Sequence, residues 1–261
     1  MPLKIRVLSD LHVEFGFPYR THAAGEYRGE QAVVLAGDIA PANLLEPVLE
    51  HYSRRFPKVF FVAGNHEYYN LGFEEAEHLI TNACLNQGAV WLNPPTTTSV
   101  ELEDVLFVGG TLWSNFGGPH NNYNSKQFAQ ARVADFSVIQ NFNTDKCERL
   151  HYSHWEAIKY HLGRRKPAQK CVVVTHFLPA RECIHPRYLN IGGTGELLNR
   201  YFSNDYGHWI GDLDVGTTWI YGHSHEVQDF YLGNTRLLSN PAGYWNSLEG
   251  HQFDPHKTIV I

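Results

Sequence analysis

Five short apolar runs in this chain each end in a polar group that can bind a cation, and this pattern restricts the possible folds. The ends of the runs read Asp10-Leu11-His12, Gly37-Asp38, Gly64-Asn65-His66-Glu67, Thr175-His176 and Gly222-His223-Ser224-His225. The runs have the length and composition of buried strands. Ligand sites of open α/β sheets lie beyond the carboxyl ends of the strands. We therefore expect these polar side chains to converge, although they are far apart in sequence.

Strand-like and helical segments alternate along the chain. Strands are predicted at residues 4–8, 32–36, 59–63, 105–110, 171–175, 219–221, 235–238 and 258–261. Helices are predicted at residues 43–56, 73–85, 125–140 and 145–162. This alternation is typical of a layered α/β protein. A length of 261 residues without a convincing linker predicts a single domain, residues 1–261.

Composition argues against several classes of protein. The formal net charge is -6 with neutral histidines, so extended contact with nucleic acid is not expected. No apolar run approaches the roughly 20 residues of a membrane-spanning helix, and the first residues lack a signal-peptide pattern. The cysteines show no C-x-x-C spacing and are expected to be reduced thiols. These features predict a cytoplasmic protein without membrane association, and they leave its oligomeric state open.

The spacing within the motifs suits a metal site. Residues i and i+2 of an extended chain point to the same side, so Asp10 and His12 are expected to share a target, as are His223 and His225. Carboxylate, amide and imidazole ligands together favour Mn, Fe or Zn over Ca or Mg. The set contains no cysteine, which argues against a closed structural zinc site.

The ordered motifs resemble those of the calcineurin-like metallophosphoesterase superfamily. The family pattern is D-x-H, G-D, G-N-H-[DE], H and G-H-x-H, and all five blocks occur in that order between Asp10 and His225. The sequence around Leu112-Trp113, Thr175-His176-Phe177 and Asn240-Pro241 is similar to that of bacterial single-domain members. The resemblance implies a four-layer α/β/β/α sandwich, in which helices flank two mixed sheets.

The same resemblance implies a role for each matching residue. The metal ligands would be Asp10, His12 and His225 for a first ion, Asn65, His176 and His223 for a second, and Asp38 as a bridge between them. A hydroxide bridging the two ions (Mn2+, Fe or Zn2+) would attack phosphorus in line. His66 would serve the leaving group as proton donor or as a stabiliser of transition-state charge. The implied protein is a metal-dependent phosphoric ester hydrolase that acts on a small phosphate ester, with diesters favoured over monoesters.

Some positions depart from subgroups of the family or lie outside its pattern. Phosphoprotein phosphatases continue after the bridging aspartate with Asp-Arg-Gly, whereas this chain reads Ile39-Ala40-Pro41, which disfavours a protein phosphatase. Phe177 stands where many bacterial relatives have a second histidine. Asp104 and Asp229 are candidates to orient a site histidine. Long loops supply candidate contacts to the substrate phosphate, namely Asn121, Asn122, Arg181 and Arg187.

Other interpretations stay open. Taken singly, the D-x-H motif is usually a capped strand end and Gly37-Asp38 is a common turn, while His176 alone is as often a hydrogen-bonded core histidine as a ligand. A catalytically silent scaffold with the same fold that binds a protein partner is a second possible function. Members of that kind typically lose ligands, above all the histidine matching His66, which this chain keeps. A lactamase-like metal hydrolase is a third, but its H-x-H-x-D-H signature is absent.

Overall fold

The computed structural model describes residues 2–118, 122–189, 192–245, 247 and 252–261. The strands are β1 (Lys4–Leu8), β2 (Ala32–Ala36), β3 (Val59–Val62), β4 (Val90–Trp91), β5 (Ser99–Leu102), β6 (Val105–Gly110), β7 (Cys171–Thr175), β8 (Thr217–Tyr221), β9 (Gln228–Leu232), β10 (Thr235–Ser239) and β11 (Thr258–Val260). The α-helices are α1 (Ala42–Ser53), α2 (Phe73–Gln87), α3 (Tyr123–Arg132), α4 (Asp135–Val138), α5 (Thr144–Leu162), α6 (Pro186–Leu189), α7 (Thr194–Phe202) and α8 (Gly207–Gly211).

These strands form two mixed sheets. The first has the order β11-β1-β2-β3-β4, in which β1 to β4 run parallel and β11 is antiparallel to β1. The second has the order β5-β6-β7-β8-β10-β9, with a parallel centre and an antiparallel strand at each edge. Parallel pairing within each sheet brings the carboxyl ends of neighbouring strands to one edge, which is where the polar motifs lie.

The two sheets pack face to face, and helices cover their outer faces. The rings of Phe60 and Phe107, one from each sheet, stack with centroids 3.9 Å apart in the layer between the sheets. Because side chains alternate along a strand, Val34 points into this layer, whereas Val33 and Leu35 belong to the cluster that contains the apolar residues of α1. Helix α5 packs against the second sheet through residues such as Ile158. The predicted sandwich of two mixed sheets flanked by helices is confirmed.

Most predicted elements occur with nearly the expected bounds, but the predicted helix at residues 125–140 is wrong. The chain instead forms α3 and α4, with an extended residue, Val133, directly after α3. The interruption turns Asp135 inward, where it accepts hydrogen bonds from Tyr69 and Tyr201. Hydrophobic spacing could not reveal this break, because it depends on a polar contact with distant parts of the chain.

Two further expectations concern thiols and membranes. All four cysteines are buried and unpaired, as expected from their spacing. None of the helices within the described ranges is long and apolar enough to cross a membrane.

Candidate metal centre

The polar residues at the strand ends of both sheets meet in one buried cluster. Ligand atoms of Asp10, His12 and His225 all lie within 4.8 Å of one another, and so do those of Asp38, His176 and His223. Asn65 joins the second group, since its Oδ1 lies 3.2 Å from His176 Nε2. The structure thus brings together all seven proposed ligands, in the two groups that the family resemblance implied.

Left-handed backbone turns direct several of these side chains into the cluster. The φ angles are 50° at Asp10, 46° at His12, 53° at Asp38, 71° at His223 and 53° at His225. The expectation that the D-x-H and H-x-H pairs are extended is therefore wrong, although the members of each pair lie near one another. Aspartate and histidine are among the few side chains enriched in this region. Strained conformations of this kind concentrate at functional sites, where the surrounding fold maintains them.

Asp38 lies between the two groups. Its Oδ2 is 3.3 Å from His176 Nε2, 3.8 Å from His12 Nε2 and 4.0 Å from His66 Nε2. Its Oδ1 accepts a hydrogen bond of 2.9 Å from the backbone N–H of His66. Burial raises the pKa of Asp38, but the facing histidines His176, His66 and His12 outweigh burial and hold it well below its usual value. The result is an ionised carboxylate in the position of a bridge.

Glu67 fixes the backbone around this bridge. Its carboxylate accepts hydrogen bonds from the backbone N–H groups of Asp38 (3.0 Å), Ile39 (2.7 Å) and Gly64 (2.6 Å). The turns after β2 and β3 are therefore tied together by one buried side chain. This explains the acidic residue that ends the G-N-H-E motif: it holds the motif's own backbone and does not face the cluster of ligands.

The donor set fits divalent cations. Asp10 Oδ2 and His223 Nε2 are buried and have no hydrogen-bond partner among the described residues, although buried polar atoms normally have one. His176 Nδ1 lies 3.0 Å from the carbonyl oxygen of Ala36, so its N–H donates there, and the Nε2 atom faces Asp38 at 3.3 Å. Metal-binding histidines are commonly held this way by their second ring nitrogen. Cations at this cluster would satisfy the unpartnered atoms and separate its crowded imidazoles.

Glu14 contacts two histidines at once. Its Oε1 lies 2.9 Å from His66 Nδ1 and 3.1 Å from His12 Nδ1. Burial raises the pKa of Glu14, whereas its hydrogen bonds with His12 and His66 lower it, with a lowered pKa as the net result. Glu14 therefore orients the site histidines, a role for which the sequence offered other candidates. The only signal in the sequence was its place two residues after His12, in the turn that follows the first strand.

The two aspartates considered for this orienting role are elsewhere. Asp229, on β9, pairs with Arg236 and with Lys257, at 2.8 Å to each. Asp104 is exposed in the turn between β5 and β6. Both predictions are wrong, because each carboxylate lies among surface residues and not at the strand ends that form the cluster. Phe177, the other departure from the family pattern, packs its ring 4.1 Å from that of His223.

His66 lies at the edge of the cluster. It belongs to neither of the two groups of proposed ligands. Its ring stacks on Tyr69 at 4.1 Å, and its Nδ1 faces Glu14. Burial lowers the pKa of His66, but the carboxylates of Asp38 and Glu14 outweigh burial and raise it to about 9. With Nδ1 held by Glu14, the Nε2 nitrogen is the one directed toward Asp38. His66 is thus placed to hold a proton beside the centre.

A cavity of about 420 Å³ opens from the centre, with Asp38, Asn65, His66, His223 and His225 at one end. Most of its remaining wall is apolar or aromatic, and is formed by residues that include Val133, Leu178, Ile184, Tyr188, Leu198 and Phe202. A phosphate group at the centre could therefore extend an organic substituent into this cavity, where apolar contacts would bind it.

None of the described residues predicted to bind substrate lines this cavity. Asn122 donates to Glu148, Arg181 pairs with Glu196 at 2.9 Å, and Arg187 pairs with Glu226. These side chains are engaged by neighbouring carboxylates, a preference that a loop sequence alone does not reveal. Asn121 lies outside the described residues. Arg132, which the sequence did not single out, does line the cavity.

The chain is similar in sequence and in structure to several known proteins. The sequence model of the calcineurin-like phosphoesterase family matches residues 3–227. An uncharacterized protein of Acanthamoeba polyphaga mimivirus is 26% identical over 285 residues, which cover 98% of this chain and 96% of that protein. Phosphopantetheinyl hydrolase (PptH) from Mycobacterium tuberculosis has a similar structure, with a TM-score of 0.71, 20% identity and coverage of 93% of this chain and 90% of that one. TT1561 of Thermus thermophilus gives a TM-score of 0.57 at 12% identity, with coverage of 100% and 99%.

Proposed function

The chain belongs to the calcineurin-like phosphoesterase family, and from this membership we propose that it hydrolyses a phosphodiester at a centre of two divalent metal ions. The observation that carries the proposal is the position of Asp38 between two groups of buried donors. Its Oδ2 lies within 4 Å of histidines from both groups, His12 and His176. A single carboxylate in that position can serve two cations, which is the arrangement of two-metal hydrolases.

Each group of donors would hold one ion. The first ion would be held by Asp10, His12 and His225, the second by Asn65, His176 and His223, and both by Asp38. The mixture of oxygen and nitrogen donors favours Mn2+, Fe or Zn2+. When bound, such ions supply an ionised water as nucleophile at neutral pH and neutralise charge on the phosphate group.

His66 would act on the leaving group. Glu14 accepts from its Nδ1 at 2.9 Å, so its Nε2 is the nitrogen that can hold a proton on the side of the centre. A proton at that nitrogen would pass to the departing oxygen or hydrogen-bond to it as charge develops. An alkoxide leaving group needs this help more than a leaving group of low basicity does. The arrangement therefore favours an ester of an ordinary alcohol as substrate.

The apolar cavity suggests where the organic part of the substrate binds. It begins at His66 and His223 and continues along Leu178, Leu198 and Phe202. An extended, largely uncharged substituent fits these walls, and it would exclude water from the apolar part of the site. The phosphopantetheinyl group, named for the M. tuberculosis relative, has this character, so phosphopantetheine esters belong in a substrate panel.

Metal analysis together with a comparison of two esters tests the function. We expect the purified protein to bind two divalent ions per chain. In Mn2+ it should hydrolyse bis-p-nitrophenyl phosphate faster than p-nitrophenyl phosphate. Equal hydrolysis would contradict the preference for diesters. Failure on both esters and on the phosphopantetheine panel, with two ions bound, would favour the alternative of a catalytically silent scaffold.

Two substitutions separate metal binding from proton transfer. Asp38→Asn should abolish turnover and lower metal occupancy, because one ionised bridge is lost. His66→Ala should keep both ions while kcat falls by roughly 10²–10⁴-fold, the usual contribution of a proton-transfer residue. Metal content of both variants is compared with kcat on an alkyl phosphate ester, whose leaving group needs the proton, measured on the same preparations. Loss of metal from His66→Ala would contradict the role proposed for His66.

A further inference from the structure

A second buried carboxylate, Asp135, lies against the centre without belonging to either group of donors. It is 2% exposed. Its Oδ1 accepts hydrogen bonds from Asn65 Nδ2 (3.1 Å) and from the hydroxyl of Tyr69 (2.6 Å). Its Oδ2 accepts from the hydroxyl of Tyr201. Asp135 is thus the acceptor in all three of these hydrogen bonds.

This contact determines which end of the Asn65 side chain faces the metal centre. An amide has one oxygen, which can bind a cation, and one NH2 group, which cannot. Asp135 accepts from the NH2 group of Asn65, as it does from two tyrosine hydroxyls, so this end of the amide turns to Asp135. The oxygen then points the other way, 3.2 Å from His176 Nε2. If the amide were flipped, its NH2 group would face the cations. Its oxygen would then face the Oδ1 oxygen of Asp135, without a hydrogen between them.

Packing alone gives no reason for a carboxylate at this position. A buried ionisable group costs free energy unless its partners compensate. The helical path is also interrupted at Val133, between α3 and α4, and this interruption turns Asp135 inward. Two tyrosine hydroxyls could be satisfied by a neutral acceptor. A carboxylate adds one property that a neutral amide lacks: it accepts in every orientation, so it tolerates only one orientation of Asn65.

We propose that Asp135 is a positioning residue, which holds the Asn65 amide with its oxygen toward the second metal ion. The proposal rests on the proposed two-metal function. Residues that orient a metal ligand typically change metal affinity by 10–100-fold when they are removed. Asp135→Leu should therefore weaken one of the two Mn2+ ions, the one held by Asn65, by about that factor, as measured by calorimetric titration of the metal-free protein. The affinity of the first Mn2+ serves as an internal control.

Two further variants distinguish positioning from support of the fold. Asp135→Asn can keep one oxygen for Asn65 while its amide donates to Tyr201, so it should regain most of the lost affinity. Tyr201→Phe removes the hydrogen bond to the other carboxylate oxygen. It should leave the second Mn2+ within about threefold of wild type, although it lowers thermal stability. If Tyr201→Phe weakened Mn2+ as much as Asp135→Leu does, the effect would be one of stability and the proposal would fail.

A double-mutant cycle gives the decisive test. Asn65→Asp replaces the amide with a carboxylate, whose two oxygens are equivalent and need no orientation. Asp135→Leu should therefore lower the affinity for the second Mn2+ by about tenfold or more in the wild-type background. In the Asn65→Asp background the loss of affinity should be much smaller. Equal losses in both backgrounds would overturn the proposal. If the wild-type protein bound no metal, the proposed function itself would fail, so the two failures are distinguishable.

Discussion

Glu14 connects two histidines that have different roles. Its Oε1 accepts from His12, a proposed ligand, and from His66, a proposed proton donor. One carboxylate thereby fixes the ring orientation of both. This residue could not be predicted from the sequence, because an acidic residue after D-x-H has no spacing that distinguishes it from an exposed turn residue. Asp135 could not be predicted either, since its partners lie in the turn after β3 and in α7, more than 60 positions away.

Removal of the Glu14 side chain should lower kcat, with little effect on the stability of the fold. For Glu14→Ala we expect kcat to fall by about 10–100-fold, because both rings lose the acceptor that orients them. Glu14→Gln should lie between this variant and wild type, since an amide oxygen can still accept from one ring. The control is Glu26→Ala, which removes an exposed carboxylate paired with Arg28. Wild-type kcat in Glu14→Ala would show that the two hydrogen bonds do not contribute to catalysis.

The proposed ligand residues follow from motifs in the sequence, whereas the path of the backbone through them could not be predicted. A motif specifies side-chain chemistry and order along the chain, and both follow from the sequence. The left-handed turns at Asp10 and His223 arise from tertiary contacts, in which Asp10 Oδ1 accepts the backbone N–H of His223 at 2.9 Å. Contacts of this range cannot be inferred from local spacing.

At the scale of elements, the close approach of the turns after β2 and β3 builds the centre. A Cβ atom on Gly64 would lie 2.1 Å from Asp38 Oδ1 and 2.7 Å from the backbone nitrogen of Asp38. These distances are far too short for a real contact. Glycine at position 64 is thus required by the space between two turns and not by its own backbone conformation.

Gly64→Ala should displace Asp38 and disrupt the centre. We expect loss of at least one metal ion and a fall in kcat of about 10²-fold or more, since a shift of 1 Å at a catalytic group can have that effect. The matched control is Gly163→Ala at the end of α5, where the nearest atom to a new Cβ is 3.3 Å away. Metal content and kcat of the two variants are compared directly. Full metal content in Gly64→Ala would mean that the turns can separate without harm.

Long, strongly patterned elements were the predictable ones. Strands β1, β2, β6 and β7 have the expected bounds, because buried parallel strands are continuous apolar runs. The edge strands β4, β5 and β9 escaped prediction, since none of them is a buried apolar run and β4 has only two residues. Their pairing depends on a neighbouring strand, and that information is not local.

At the scale of the whole molecule, two histidines of α5 are buried as neutral groups. His151 donates from Nδ1 to the carbonyl oxygen of Leu112 at 2.7 Å, and His154 Nδ1 accepts from the N–H of Leu112 at 3.0 Å. Burial lowers the pKa of His151 to about 4 and that of His154 to about 3. In the unfolded chain each would titrate near 6.5. Between these values the unfolded chain binds more protons, so acid favours unfolding.

The free energy of unfolding should therefore fall as the pH drops below 6.5. Each of the two histidines contributes a slope of about 1.4 kcal/mol per pH unit, until the pH reaches its pKa in the folded protein. His154→Asn keeps an acceptor for Leu112 and removes one titrating group. Urea unfolding between pH 6.5 and 4.5, in the absence of metal for both proteins, should give a shallower pH dependence for the variant. Parallel curves would show that His154 is not buried as a neutral group.

The left-handed turns at the candidate metal centre limit how its proposed cation preference could be redesigned. Positive φ is tolerated by aspartate, asparagine, histidine and glycine far better than by β-branched or bulky side chains. An engineer who exchanges His12 or His225 can therefore choose oxygen donors from aspartate and asparagine without opposing the main chain. Variants of this protein selected for binding of harder cations should accumulate those two residues at these positions, and threonine or valine should be absent there.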